Sequence, residues 1–318
     1  MTAHARANLP RKMFGRTGIE VSTVGLGCAW IGRTGDTLDE ELALQTIWTA
    51  LENGVTLLDT APLYQNGQSE RMVGRALRER PDLARDVVVE TKVGHWPAGF
   101  DYSYDMAMRC VEGSMERLGL QHFPLLYIHD APAELLSRVM GPAGALAALR
   151  KLQAEGIVGH IGIAVNDPVE NAPYIETGEF AVAVVPEAYS LLNQVAEERI
   201  FPVAARLGMG IVIAVPLEKG LLATGVRAGT TYPGRNFSAE CLAHVGKIED
   251  VCARHRVSLV AAALQFCTRN EVVATVIPGA RTPQEALTNA RAGQEPIPEA
   301  FWADLQPLIR TWEWHVHR

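Results

Sequence analysis

Residues 125–165 read LLYIHDAPAELLSRVMGPAGALAALRKLQAEGIVGHIGIAV, and this stretch decides the fold class. It begins with a short apolar run, Leu125–His129, and ends with a second one, Ile157–Val165. Between them, Ala145–Glu155 has the apolar spacing of an amphipathic helix, and Gly156 directly after it is a typical helix stop. A strand, a helix and a second strand in this order predict a βαβ unit with parallel strands.

The same alternation continues along the whole chain. Near-continuous apolar strands are typical of a parallel sheet that is buried on both faces, and eight of them favour a closed barrel over an open sheet. We therefore predict an α/β fold, a (β/α)₈ TIM barrel that forms a single domain over residues 11–318. The predicted strands are Val21–Gly27, Val55–Asp59, Val87–Val93, Leu125–His129, Ile157–Val165, Phe180–Val185, Gly210–Val215 and Val272–Ile277.

Three segments stand outside this repeat. Lys12–Val21 predicts a small β-hairpin that plugs one end of the barrel. Residues 218–237, rich in Gly, Thr and Pro, predict a long loop after the seventh strand, and such loops are often functional lids. Residues 1–10 are predicted to be a flexible tail.

Composition excludes several classes of function. The chain has 29 Lys+Arg against 36 Asp+Glu and no basic stripe, so nucleic-acid binding is not expected. No apolar run reaches the ~18 residues of a membrane span, and the N-terminus lacks the apolar core of a secretory signal. Five widely spaced cysteines indicate reduced thiols and a cytoplasmic location. The expected partner is a small molecule, and the sequence predicts no oligomeric state.

Polar side chains stand at the ends of several apolar runs. Asp59 ends the second predicted strand, Lys92 lies in the third, and His129 ends the fourth. The fifth and sixth predicted strands run into Asn166 and Glu187. Burying charged groups without partners is costly, and in a barrel these positions converge on the carboxyl-terminal face, where active sites form. We therefore expect an active site at this face.

Asp59, Tyr64, Lys92 and His129 together suggest proton-transfer chemistry. The ordinary pKa of a phenol, ~10, is too high for catalysis at neutral pH, and we expect the Lys92 ammonium to lower the pKa of Tyr64. Asp59 would hold Lys92 charged, and His129 would hydrogen-bond the reacting oxygen. Each residue alone also has a structural explanation: a core histidine, a strand-end lysine that reaches water, or a loop aromatic.

These four residues lie in segments that resemble the aldo-keto reductase superfamily. The matching segments are Asp59–Tyr64 (DTAPLY) with Ser69–Glu70, Glu90–Lys92, Tyr127–His129, Gly159–Asn166 and Val276–Arg281. The resemblance covers roughly residues 12 to 292, and its segments come in the family's order. It implies the barrel fold, the four residues as the catalytic tetrad, and an NAD(P) cofactor bound across the barrel mouth.

Within the superfamily, further segments resemble the group of L-fucose, L-galactose and D-threo-aldose 1-dehydrogenases, which also includes pyridoxal 4-dehydrogenase. They are Phe100–Ser103, Val251–His255, Ala261–Phe266 and Pro298–Trp302. The resemblance implies oxidation of a cyclic hemiacetal at C1 to a lactone, with Tyr64 as base on the anomeric hydroxyl. Two alternatives stay open: a pyridoxal or general aldehyde reductase or dehydrogenase, and a non-catalytic, cofactor-sensing binding subunit.

Residues that contact the ligands can also be named. Trp30, Trp96 and Tyr102 are predicted to line the substrate mouth beside Tyr64 and His129. The cofactor contacts that the resemblance implies are Gly27, Cys28, Asp59, Asn166, Pro216, Leu217, Gly220, Leu222, Ile277, Gly279, Ala280, Arg281, Glu285 and Asn289.

The choice between NAD and NADP depends on Glu285. NADP-specific members of the family often have a basic residue at this position, whereas a carboxylate would repel a 2′-phosphate and can accept hydrogen bonds from ribose hydroxyls. We therefore predict a preference for NAD, although Arg281 is placed to reach a phosphate and Glu285 is equally typical of a helix first turn. No metal site is predicted, and the pair His315 and His317 is not interpreted as one.

Overall fold

The computed structural model describes residues 9–227, 232 and 235–313, together with the backbone of residues 315–316. The main sheet has eight strands. In chain order they are β1 (Leu26–Gly27), β2 (Leu57–Asp59), β3 (Val88–Val93), β4 (Phe123–His129), β5 (Val158–Ala164), β6 (Val182–Pro186), β7 (Gly210–Ala214) and β8 (Val273–Ile277). Each strand pairs in parallel with the next one along the chain, which confirms the predicted sheet.

Two isolated parallel bridges close the sheet into a barrel. Val24 pairs with Val276, and Gly27 pairs with Gly279, which joins β1 to β8. A side chain does not fit at Gly27, because a Cβ there would lie 2.9 Å from the carbonyl oxygen of Ile277. The closed sheet places the carboxyl ends of all eight strands at one face.

Helices cover the outside of the barrel, and several of them begin at polar caps. One follows each strand: α1 (Glu40–Glu52), α2 (Gln68–Glu79), α3 (Tyr104–Leu118), α4 (Ala145–Ala154), α5 (Pro168–Glu176), α6 (Phe201–Leu207), α7 (Leu259–Arg269) and α8 (Pro283–Ala292). Asp39 and Ser103 cap α1 and α3 by accepting a free backbone N–H of the first turn. Further α-helices are Pro81–Ala84, Leu136–Met140, Val195–Arg199, Leu221–Thr224, Ala239–His255 and Glu299–Leu305.

An N-terminal hairpin covers the amino-terminal end of the barrel, as predicted. Arg11–Met13 pairs antiparallel with Glu20–Ser22. Phe14, between the two strands, is fully buried among the side chains that fill the barrel. The ammonium of Lys12 donates to three backbone carbonyl oxygens around the start of β8, at 2.5 to 3.0 Å. These contacts fix the hairpin to the barrel end opposite the strand carboxyl ends.

Two predictions near the N-terminus need correction. The single strand predicted over Val21–Gly27 is wrong, because its first residues belong to the hairpin and only its last two form β1. The flexible tail predicted over residues 1–10 lies mostly outside the described residues. It is wrong for Leu9 and Pro10, because the Leu9 side chain is buried in the core and the Pro10 carbonyl accepts a backbone hydrogen bond.

The loop predicted over residues 218–237 contains structure at both of its ends. It begins with a 3₁₀ turn, Glu218–Gly220, and the short helix Leu221–Thr224. Near its end, Arg235–Asn236 pairs with His315–Val316, while part of its middle lies outside the described residues. Other two-stranded ribbons are Arg33–Thr34 with Thr37–Leu38, and His95–Trp96 with Gly99–Phe100.

The interior of the barrel is filled by side chains from the strands. Tyr127 on β4 is fully buried there. It needs Gly162 on the neighbouring β5, because a Cβ at that position would lie 2.4 Å from the tyrosine ring.

Among the helices of the described residues, none combines the length and the apolar character that a membrane span requires.

Candidate active site

The four predicted catalytic residues meet at the carboxyl-terminal face of the barrel. Asp59 and His129 are the last residues of β2 and β4, and Lys92 lies on β3 between them. Tyr64 follows β2 at the start of a 3₁₀ turn, in which the next two residues have positive φ values of 50° and 56°. This tight turn brings the Tyr64 ring over the strand ends, with its centroid 4.7 Å from Lys92 Nζ.

Lys92 and Asp59 form a buried ion pair. Lys92 Nζ donates to the Asp59 carboxylate and, at 2.8 Å, to the carbonyl oxygen of Thr60. The two side chains are only 2% and 4% exposed. Burial, the largest single effect, opposes the charge on the ammonium, but the acidic groups around it, Asp59 first among them, together outweigh burial and raise the pKa of Lys92. Lys92 therefore stays a cation, as predicted, at a place where an unpaired charge would be costly.

The expected lowering of the Tyr64 pKa is wrong. Burial, and after it the Asp59 carboxylate, raise the pKa of Tyr64 above its ordinary value, and the Lys92 ammonium opposes them only in part. The physical reason is first the burial of the phenol and then Asp59, which already matches the charge of Lys92, so that the phenol faces an ion pair instead of a lone cation. Tyr64 is therefore a neutral phenol at neutral pH.

His129 is a neutral imidazole beside this phenol. Burial lowers the pKa of His129 to about 3, even though the neighbouring Asp130 carboxylate favours the charged form. The ring stands edge-on to the Tyr64 ring, with the centroids 6.0 Å apart. Nδ1 of His129 is buried and has no hydrogen-bond partner among the described residues. A neutral imidazole has one donor and one acceptor, so it can hydrogen-bond a substrate oxygen.

Two polar residues next to His129 were given no role from the sequence: Asp130, which stands with His129 at the end of its strand, and His95. Asp130 follows β4 with a positive φ of 51°. Its carboxylate lies 2.9 Å from His95 Nδ1 and accepts a hydrogen bond of 2.8 Å from Asn166 Nδ2. The position of Asp130 directly after a strand-end histidine was a usable signal, whereas His95 lies in a short ribbon after β3 that no sequence pattern predicted.

His95, His129 and Asp130 also have donor atoms that suit a metal ion. One ligand atom from each lies within 4.8 Å of the others, and imidazole with carboxylate is a typical zinc donor set. His95 and Asp130 already lie within hydrogen-bond distance of each other. The expectation that the protein uses no metal stays a prediction.

The three aromatic residues predicted to line the substrate mouth lie in different surroundings. Trp30 is 52% exposed, and the Arg33 guanidinium lies 4.5 Å from the centre of its ring. Trp96 is half-buried and lines a surface cleft of about 380 Å³ that also includes Pro62 and Arg109. Tyr102 is buried, and its hydroxyl donates to two backbone carbonyls at 3.0 and 2.7 Å. The prediction that Tyr102 lines the mouth is therefore wrong, since this side chain supports the end of β4 from behind.

The residues expected to contact a cofactor line the same barrel face, after β1, β2, β5, β7 and β8. Asn166, Gly279 and Arg281 are exposed there, and Leu217, Gly220 and Glu285 are half-buried. Open space surrounds the Cα atoms of Gly220 and Gly279, where a Cβ would meet nothing within 4 Å. Such an open surface along the strand ends fits an extended dinucleotide. The side chains of Cys28 and Leu222 are fully buried, so these two residues can contribute through their backbone only.

Glu285 and Arg281 contact each other at the start of α8. The Arg281 backbone N–H donates to Glu285 Oε2 at 2.7 Å, and the Arg281 guanidinium lies 3.4 Å from Oε1. Thr282 caps the start of the helix, because its hydroxyl accepts the N–H of Glu285. Glu285 therefore stabilises the helix start and at the same time neutralises the one arginine that was expected to reach a phosphate.

A second charged cluster holds the segment that follows β7. Glu187, the strand-end residue after β6, pairs with Lys219 Nζ at 2.8 Å and with Arg235 at 3.1 Å. Lys219 lies near the beginning of the 218–237 segment and Arg235 near its end. The Arg235 side chain is fully buried. The cluster therefore fastens both ends of this segment beside the barrel mouth.

Comparison with known proteins now identifies the family. The model of the Aldo/keto reductase family matches residues 23–310. The chain belongs to this family. It is 31% identical to pyridoxal 4-dehydrogenase of Microbacterium luteolum, over 95% of this chain and 98% of that protein. It is 30% identical to D-threo-aldose 1-dehydrogenase of a Pseudomonas species, over 91% of this chain and 94% of that protein. The resemblance stated from the sequence, including the group, is confirmed.

A solved relative confirms the fold of this aldo-keto reductase. The holo form of an aldo-keto reductase from Bacillus halodurans superimposes with a TM-score of 0.80 at 25% identity, covering 96% of this chain and 99% of that chain. The predicted (β/α)₈ barrel is thus correct. Aldo-keto reductases are oxidoreductases that use nicotinamide cofactors, and membership makes this chain an oxidoreductase.

Proposed function

We propose that this aldo-keto reductase is an NAD(P)-dependent aldose 1-dehydrogenase that oxidises a sugar of the L-fucose, L-galactose or D-threo-aldose type at C1 to the lactone. The observation that carries the proposal is the position of the Tyr64 ring, 4.7 Å from the buried Lys92 ammonium and edge-on to the neutral imidazole of His129. The relatives named for D-threo-aldose and pyridoxal support a small oxygenated substrate. Asp130 and His95 beside His129 add groups that can bind substrate hydroxyls.

Proton transfer is the task of the protein's own side chains, and a nicotinamide cofactor, when bound, would supply the hydride acceptor for the oxidation at C1. Tyr64 first releases its own proton to solvent, and its phenolate oxygen then takes up the proton of the anomeric hydroxyl as the carbonyl of the lactone forms. His129 keeps the reacting oxygen in place by a hydrogen bond. The Lys92 ammonium offsets the negative charge that the phenol oxygen carries before it accepts the proton. Because the pKa of Tyr64 is raised, the phenolate forms more readily at higher pH, and we expect oxidation to become faster as the pH rises.

We also propose that NAD is preferred over NADP. A 2′-phosphate at the start of α8 would face the Glu285 carboxylate, and like charges repel. Arg281, the group that could compensate, already contacts Glu285 through its backbone and its guanidinium.

The five cysteines are buried and unpaired, which supports a cytoplasmic location for the enzyme.

A substrate panel tests the proposal. Purified protein is incubated with L-fucose, L-galactose, a D-threo-aldose, pyridoxal and simple aldehydes, each with NAD or NADP, and the reduced nicotinamide is followed by absorbance. Lactone is assayed separately, because its formation locates the oxidation at C1. The proposal expects lactone and NADH from at least one aldose.

Other results of this panel select the alternatives. Turnover of pyridoxal or aldehydes without any aldose would support the aldehyde or pyridoxal enzyme. Tight cofactor binding without turnover of any compound would support a cofactor-sensing subunit.

A further inference from the structure

Glu90 is a buried carboxylic side chain next to the catalytic ion pair. It lies on β3 two residues before Lys92, so both side chains point to the same side of the strand, into the barrel. In the parallel ladder between β2 and β3, Glu90 is the direct partner of Asp59. The Glu90 side chain is fully buried. Two carboxyl groups and one ammonium therefore share the space beneath Tyr64.

Only one of the two Glu90 oxygens has a donor. The hydroxyl of Tyr127 donates to Oε2 at 2.7 Å. The other oxygen, Oε1, is buried and receives no hydrogen bond from any of the described residues. Its acidic neighbour is Asp59, which is an acceptor itself when ionised. A proton between the two carboxyl groups would satisfy Oε1 and supply Asp59 with another donor.

The charge balance at this place points in the same direction. If both Asp59 and Glu90 were ionised, the single Lys92 ammonium would leave one buried negative charge without a partner. Like charges that share a buried site cannot both ionise at ordinary pH, and one of the two groups keeps its proton. Burial, and after it the Asp59 carboxylate, raise the pKa of Glu90 to about 8. Glu90 is therefore the group that holds the proton.

We propose that Glu90 is a positioning residue that keeps a proton, donates it as a hydrogen bond to Asp59, and so leaves a single negative charge opposite Lys92. This role rests on the proposed function of Tyr64, because the Asp59 charge already makes the phenol harder to ionise. A second carboxylate would strengthen that effect and withdraw Lys92 further from the phenol oxygen. Glu90 touches neither substrate nor cofactor, and its proton stays in place during turnover.

The test compares Glu90→Gln with Glu90→Leu across pH. A glutamine imitates the protonated acid, because its amide can donate to Asp59 and accept from Tyr127. We expect the kcat of Glu90→Gln to stay within about threefold of wild type near pH 7. The kcat of Glu90→Leu, which cannot donate, should fall by about tenfold or more. The exposed residue Glu116 gives the control variant Glu116→Gln, which should change neither kcat nor its pH dependence.

The pH profile gives the decisive readout. As Glu90 ionises near pH 8, the ratio of the kcat of Glu90→Gln to that of wild type should rise severalfold between about pH 7 and pH 9. A ratio that stays constant over this range, or a Glu90→Gln variant impaired as strongly as Glu90→Leu, would overturn the proposal.

A stability measurement tests Glu90 without any turnover. The proton taken up by Glu90 on folding makes wild type lose stability relative to Glu90→Gln as the pH rises from about 5 to about 8. If the unfolding midpoints of wild type and Glu90→Gln change in parallel over this range, the role of Glu90 is overturned, even though the variant folds well. If wild type turns over no substrate, the proposed function fails, while this measurement still decides about Glu90.

Discussion

Replacing Lys92 by methionine should both destabilise the protein and abolish most of its activity. Methionine fills a similar space but removes the charge and both hydrogen bonds, to Asp59 and to the Thr60 carbonyl. The Asp59 side chain, 4% exposed, is then left as a buried carboxylate without its cation. The Tyr64 phenol at the same time loses the ammonium that lowers its pKa.

The size of the effect follows from this burial. Removing one partner of a buried ion pair typically costs about 3–5 kcal/mol, because the remaining charge is uncompensated. Removing both partners, as in Asp59→Asn/Lys92→Met, leaves no charge behind and should cost about 2 kcal/mol or less. The two single changes are thus expected to be strongly non-additive, with a coupling free energy of about 4 kcal/mol or more.

Urea unfolding of wild type, the two single variants and the double variant near pH 7 measures this coupling. The slopes m have to agree for the free energies of unfolding to be compared. Lys151→Met is the matched control, because the Lys151 ion pair with Glu155 is exposed and its loss should leave the unfolding midpoint unchanged. Additive changes at Lys92 and Asp59, or a Lys92→Met variant as stable as this control, would refute the reasoning.

Three further changes have defined outcomes. Glu285→Gln frees Arg281 to bind a phosphate and should raise kcat/KM for NADP relative to NAD by about two- to fivefold; an unchanged ratio in steady-state assays would count against the proposed cofactor preference. Tyr102→Phe removes the donor to two backbone carbonyls and should lower the free energy of unfolding by about 1–2 kcal/mol. Urea titration measures this change, and an unchanged free energy of unfolding would contradict the expectation. The pKa of His129 is held at about 3, below the ordinary 6.5, so its contribution to stability is complete above pH 6.5 and is lost as the pH falls towards 3. Wild type should therefore become less stable relative to His129→Gln over this range. If the stabilities of the two proteins change in parallel with pH, the result contradicts a buried neutral imidazole.

The barrel could be predicted because its signals are local. Each βα unit carries an apolar strand, an amphipathic helix and a glycine or polar cap, so the element types and their order follow from the chain itself. The errors fall where pairing over long distances decides. Val21 and Ser22 look like the start of the first barrel strand, but they belong to Glu20–Ser22, which pairs with Arg11–Met13. Leu9 carries no pattern that reveals its burial against the core.

The sequence predicted which side chains meet at the candidate active site, but not the electrostatics of the site. Strand-end polar residues indicated which side chains would meet, and Asp59 and Lys92 do form a pair. The pKa of Tyr64 could not be predicted, because burial and the compensation of Lys92 by Asp59 depend on coordinates. The contact of His95 with Asp130 likewise depends on how a ribbon folds over the mouth.

The most direct test of the account is the hydride-transfer rate of Tyr64→Phe, measured in single turnover with a substrate found by the panel and with saturating cofactor. General acid–base catalysis is worth about 10²–10⁴ in rate, so the variant should lose at least about a hundredfold while its affinity for the cofactor stays within about twofold. A Tyr64→Phe variant that transfers hydride within about tenfold of wild type would contradict the assignment of the proton to this phenol.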